Sequence, residues 1–199
     1  MGQYYHPVIL KEGWEKNNEP VEATLNAHDF DNGLKLMEHS YVGNSFTEAF
    51  TNLLGDEPKV VAWVGDYADE VAINGEEHDL YSDACSFMEK DPQDYNTANT
   101  EQYDDLLKNA CPKHKYDYLV NVTKKQYCKV PAKIGDDLLI VHPLPLLTAV
   151  GNGRGGGDYW KEDARVGSWA FDRVLATNSI DGYKAMGYVE IDGVFIEGD

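Results

Sequence analysis

The chain has 199 residues, enough for one domain with a sizeable core, and its 42% hydrophobic residues with 13 Tyr, 6 Phe and 4 Trp exclude a disordered polymer. Seventeen Lys and Arg against 35 Asp and Glu give a net charge of −18, which argues against direct nucleic-acid binding because phosphates would be repelled over most of the surface. No apolar run is long enough to cross a bilayer, and Met1–Leu10 lacks the basic start and apolar stretch of a signal peptide, so the expectation is a cytoplasmic chain without membrane contact.

In chain order, Gln3–Leu10 reads as a strand, and Pro7, which has no N–H to donate, predicts that it lies at an edge or is distorted there. Val21–Ala27 alternates weakly and reads as a second strand, and Asp31-Asn32-Gly33 is a turn signal. The clearest helix is Ser45–Leu54: Ser45 and Glu48 have capping-box spacing, Phe46, Ala49, Phe50, Leu53 and Leu54 share one face, and Gly55 suits the stop. Lys59–Val64 is a continuous apolar run that reads as a buried strand. Helices are expected over Asp79–Lys90 and Glu101–Ala110, with a polar loop over Asp91–Thr100 between them. Tyr116–Val122 alternates, and Gln126–Val130 is expected to pair back on it through Lys124-Lys125. Leu138–His142 reads as a strand stopped by Pro143 and Pro145, and Leu146–Val150 leads into a glycine-rich loop, Gly151–Gly157. Ser168–Ala176 reads as a strand. Tyr188–Ile191 and Val194–Glu197, flanking Asp192-Gly193, read as a hairpin with Val189, Ile191, Val194 and Ile196 on a buried face. The sum is a single α+β domain over 1–199, a mostly antiparallel sheet with two or three helices in the middle of the chain.

Charge is unevenly spread. Asp66–Asp105 holds thirteen acidic residues against one lysine, net −12, and Lys113–Lys133 holds six lysines against one aspartate, net +5. Such a segment is either a solvated acidic face or a surface that attracts a basic partner or imitates nucleic acid. Cys85, Cys111 and Cys128 are odd in number and lack a CxxC, which suits free thiols in a reducing compartment, and the sequon Asn121-Val122-Thr123 reads as chance.

Three constellations could carry chemistry. Gly65-Asp66-Tyr67-Ala68-Asp69 follows the buried strand and matches one element of metal-dependent phosphoesterases, whose other motifs are missing. His28, Asp29 and Asp31, near Glu38 and His39, supply ligand types for a divalent metal, although Asp29 and Asp31 also suit a turn, and neither HExxH nor EF-hand spacing is met. Gly151-Asn152-Gly153-Arg154-Gly155-Gly156-Gly157-Asp158 contains GxGxxG, but too little chain follows for a dinucleotide-binding unit, and no Gly-Lys-Ser/Thr closes a Walker loop. Glycines there let backbone N–H groups approach an anion, with Arg154 as its charge partner and Tyr159 or Trp160 as a stacking face. No GxSxG or Cys–His motif points to a nucleophile.

Met1-Gly2-Gln3-Tyr4-Tyr5, His28-Asp29-Phe30 with Gly33–Ser40, and Trp63–Asp69 together resemble a family of uncharacterised small bacterial and phage-type proteins. The resemblance covers mainly the first seventy residues, implies an intracellular bacterial or viral setting, and transfers no catalytic roles. The leading expectation is a non-catalytic binding or regulatory protein for a small anionic, nucleotide-like ligand held by Gly151, Gly153, Arg154, Gly155, Asp158, Tyr159 and Trp160. The alternatives are a metal-dependent hydrolase using Asp66, Asp69 and His28–Asp31, and an acidic protein that masks a basic partner.

Overall fold

Two strands buried on both faces organise the fold. In the computed structural model, which describes residues 1–90, 115–134 and 139–195, these are β1 (Tyr5–Leu10) and β3 (Lys59–Gly65), paired antiparallel with Pro7 opposite Trp63. β2 (Val21–Thr24) pairs with the other side of β1 from Val8 to Leu10. β1 is therefore an interior strand. Pro7 is tolerated because its nitrogen lies beyond the end of the β2 ladder, where Thr24 Oγ1 donates to the Pro7 carbonyl at 2.7 Å.

On the other edge, β3 meets two strands end to end. β11 (Arg173–Thr177) pairs antiparallel near Lys59 and Val60, and β10 (Ala149–Val150) pairs parallel at Trp63 and Val64. β6 (Tyr118–Asn121) and β7 (Gln126–Lys129) continue the sheet antiparallel, as the Lys124-Lys125 turn suggested. A small hairpin of β4 (Val71–Ile73) and β5 (Glu76–His78) follows β3.

The period-2 alternation of β1 and β3 divides their side chains between two cores. Tyr5, Ile9, Val61 and Trp63 belong to the larger one, covered by α1 (Leu36–Ser40) and α2 (Ser45–Leu54). Val8, Leu10, Ala62 and Val64 belong to the other, covered by α3 (Leu80–Lys90). This double burial explains the unbroken apolar run of β3.

α2 forms where the apolar period predicted, and Phe46, Phe50 and Leu54 are fully buried. Its N-cap is Asn44 rather than Ser45: Asn44 Oδ1 accepts from Phe46 N at 2.9 Å and Thr47 N at 3.2 Å, leaving Ser45 to reach the Phe30 carbonyl and Glu48 to be buried. Trp63 sits edge-on to Phe50 at 5.0 Å and donates from Nε1 to His39 Nδ1 at 2.9 Å. His39 Nε2 therefore carries the proton and donates to the Gly33 carbonyl at 2.8 Å, and burial lowers the ring's pKa to about 3.

The segment after β9 (Leu139–Val141) does not simply stop at the prolines. His142 caps a short helix, α4 (Pro143–Leu147), with Pro143 in the first turn, where no N–H is needed. The expected strand over Ser168–Ala176 begins only at Arg173, after a run of turns held by Trp169, which is fully buried and donates to Gln126 Oε1 at 3.0 Å. Asn121 is also fully buried, donating to Asp172 Oδ2 at 2.8 Å, so the sequon asparagine offers no site for a glycan.

At the C-terminal end, Asp192-Gly193 does not fold β12 (Val189–Glu190) back on β13 (Val194–Phe195). β12 pairs parallel with β7, and β13 pairs parallel with β8 (Ala132–Ile134), which itself pairs antiparallel with β9. The consecutive open edges of β7 and β8 outcompete the local turn, and Val189 stays 64% exposed. A last helix, α5 (Asp181–Ala185), precedes β12. The architecture is one α+β domain with a mixed, mostly antiparallel sheet. Glu101–Ala110 and Asp91–Thr100 lie outside the described residues, and no helix among the described residues is long and apolar enough to cross a membrane.

Candidate functional site

Because β3 and β10 run parallel with Val64 beside Val150, their C-terminal ends release two loops side by side. These are Gly65–Asp69 and the glycine-rich segment after Val150, two of the three constellations singled out from sequence. Arg154 ties them together: Nη1 donates to the Tyr67 carbonyl and to Asp69 Oδ1, both at 2.7 Å, and Nη2 donates to Asp69 Oδ2 at 2.5 Å. The hydrogen-bonded guanidinium holds the Asp69 carboxyl below its ordinary pKa. Asp66 is engaged with the N-terminal strand: its N–H donates to the Tyr4 carbonyl at 2.9 Å, and Oδ1 accepts from Tyr4 N at 3.1 Å.

The glycine-rich loop does form an anion nest, and it holds its own anion. The N–H groups of Gly153, Arg154 and Gly155 converge on Asp158 Oδ2 at 2.8, 2.9 and 3.0 Å. Asp158 Oδ1 accepts from the Tyr5 hydroxyl at 3.1 Å, and Asp158 is only 6% exposed. Burial first, then the adjacent carboxylate, pushes the Tyr5 pKa far up, so Tyr5 stays a donor. Asn152 closes the loop by pairing both ways with the Tyr159 backbone, at 2.8 and 3.0 Å.

The loop also clasps the N-terminal residues. Gly156 N–H donates to the Met1 carbonyl at 3.0 Å, and Gln3 N–H donates to the Gly156 carbonyl at 3.1 Å. A Cβ on Gly155 would stand 2.5 Å from Gln3 Cβ and 2.7 Å from Gln3 N, so this approach requires glycine. The Gln3 amide is fully buried in the clasp, with neither Nε2 nor Oε1 hydrogen-bonded.

Beyond the clasp, the loop forms one wall of a cleft of about 1000 Å³, with Met37, Ala149 and Val166 as apolar lining. Arg154 is not part of this lining, because its side chain is drawn to Asp69. Tyr159 contributes to the wall but is itself buried, edge-on to Phe195 at 6.2 Å. Trp160 is 68% exposed, with the Lys161 ammonium 4.1 Å from its ring centroid. Three carboxylates, Asp158, Glu162 and Asp163, and one ammonium, Lys161, line the space, with Arg165 held against Asp163 at 2.5 Å. With Arg165 counted, the formal charge is 2 − 3 = −1, and Asp158 and Asp163 are buried and paired, so Glu162 is the carboxylate that the cleft exposes.

The third constellation lies on a separate turn. His28 and Asp29 are exposed on the 3-10 helix Ala27–Phe30, and Asp31 ends it in the left-handed conformation at φ 54°. Among the described residues, no three His, Cys, Asp or Glu side chains come together so as to hold a metal ion. Lys161, Glu162 and Tyr5 belong to the site and were missed from sequence. The Asp directly after the glycine run was the available signal that the nest is filled from within. Comparison with protein-family models, with curated proteins and with solved structures returns no match, so the reading of the site rests on its own geometry.

Proposed function

We propose that the protein is a non-catalytic binding protein whose cleft beside the glycine-rich loop receives a positively charged partner. One observation carries this reading: both elements that would attract an anion are occupied by the chain's own carboxylates, the nest by Asp158 and Arg154 by Asp69. The carboxylate left exposed at the cleft is Glu162, in a chain of net charge −18. Such a field draws cations and repels phosphates. The acidic run from Asp66 contributes to that net charge, and its described part after Asp69 runs through β4, β5 and α3, over the core that α3 covers. A cytoplasmic setting is supported by the unpaired thiols of Cys85 and Cys128.

The test is calorimetric titration with an oligolysine peptide and with ATP at low and high salt. The peptide is expected to bind and to weaken steeply as salt rises, with ATP producing no heat. A second reading, a small anionic ligand, is favoured by the Lys161 ammonium at the cleft. ATP binding that is abolished by Lys161→Met, with no binding of oligolysine, would replace the first reading by the second.

A further inference from the structure

We propose that the face of Trp160 is a seat for an alkylammonium group, and that Lys161 occupies this seat while no partner is bound. The proposal rests on the basic-partner reading and names the chemistry that the cleft selects. Trp160 contributes nothing to the cores: it is 68% exposed, whereas Trp63 and Trp169 are fully buried and Trp14 stacks on Phe171 at 5.4 Å. An indole left in water at the mouth of a cleft is the best aromatic face for a cation.

That face already holds one. The Lys161 Nζ stands 4.1 Å from the ring centroid, inside the range in which the ring's negative face attracts an ammonium. Glu162, exposed in the cleft lining two residues beyond Trp160, supplies the negative charge that an incoming cation meets, while Asp163 is buried against Arg165. Lys161 and Trp160 are adjacent in the chain and both at the surface, so the lysine can swing away without disturbing the core. The seat is therefore filled by a tethered competitor, and a lysine side chain of a partner, or a free polyamine with the same ammonium chemistry, replaces it and gains the cleft contacts besides.

The competition has a sign that a merely electrostatic surface lacks. Removing Lys161 with Lys161→Met, which keeps an unbranched apolar stem, should tighten oligolysine binding by about two- to fivefold, the worth of one exposed cation–π contact. Lys125→Met, on the exposed β6–β7 turn, changes the net charge equally and should leave affinity nearly unchanged. Trp160→Ala should weaken binding by about fivefold or more, and Trp160→Phe by less, since Phe is a poorer cation face. Titrating spermidine in parallel separates the two sources: a peptide partner gives the larger Lys161→Met gain with oligolysine, and a polyamine ligand gives it with spermidine.

The proposal is overturned if Lys161→Met leaves affinity unchanged or weaker, if Lys125→Met tightens binding as much as Lys161→Met, or if Trp160→Ala binds as well as the natural chain. Salt-sensitive oligolysine binding that persists with any of these outcomes would sink the seat and leave the basic-partner reading standing. No binding by either probe would sink both.

Discussion

Two carboxylates close the loop end of the molecule, and they do so under opposite conditions. Asp158 is 6% exposed and accepts from three backbone N–H groups and the Tyr5 hydroxyl. Asp69 meets Arg154 in a bidentate pair of good geometry, but its side chain is 81% exposed. Water competes for Asp69 and hardly at all for Asp158, so the better-looking ion pair is the weaker restraint. A charge matters to stability where its removal strands buried donors.

The sharpest way to break this comparison is Asp158→Ala. It leaves three N–H groups and the Tyr5 hydroxyl without their acceptor, and a loss of about 3 kcal/mol or more is expected by denaturant unfolding, with Asp158→Asn in between because it retains one acceptor oxygen. An Asp158→Ala protein as stable as the natural one would mean that the loop re-closes by another route.

The buried titratable groups extend the contrast to pH. Burial, with His28 nearby, lowers the His6 pKa to about 4, and His39 is lowered to about 3. Below about pH 6.5 the unfolded chain takes up protons that the folded chain refuses, so stability falls as pH drops toward 4. Burial raises the Glu48 pKa to about 7, so the folded chain keeps a proton that the unfolded chain releases above about 4.5. Its penalty is full above pH 7 and fades as pH falls toward 4.5. Glu48→Gln should therefore stabilise by about 2 kcal/mol at pH 8 and steepen the loss on acidification. His6→Phe, which keeps a ring against Tyr81 where His6 now lies at 4.8 Å, should flatten that loss. Equal pH slopes in natural and variant chains would refute both assignments.

Smaller effects complete the series. Gln3→Met replaces an amide without hydrogen-bond partners by an apolar chain of similar shape and should raise stability by about 1 kcal/mol. Destabilisation would mean that the amide has a partner in solution. Arg154→Ala and Asp69→Asn should barely move the melting temperature, and less still at high salt. A large drop for either would put the exposed pair on the same footing as Asp158.

Segments whose decisive contacts are local were legible in the sequence. α2 follows from Phe46, Ala49, Phe50, Leu53 and Leu54 at helical spacing, and β3 from an apolar run that only a doubly covered strand carries. The β6–β7 pairing follows from a two-lysine turn after the alternating segment Tyr116–Val122. The N-cap was missed by one residue because Asn44 and Ser45 are both competent caps, and only the approach of Ser45 to Phe30 separates their roles. The C-terminal pattern was read correctly as extended, but its partners were invisible, since β7 and β8 are far from it in the chain.

For the candidate site, composition and motif placed the glycine-rich loop and the Asp66–Asp69 turn, and the fold joined them through Arg154. By itself the sequence determined an acidic α+β domain, its central helix and strands, and a backbone able to make an anion nest. Those depend on side-chain period and on glycine's reach, which are properties of short segments. The tertiary structure alone decided that Asp158 fills the nest, that Arg154 turns from the cleft to Asp69, and that Trp160 stands exposed beneath Lys161. Each is a competition among charged groups for the same partner, and such competitions are settled by distance and burial, which the order of residues does not contain.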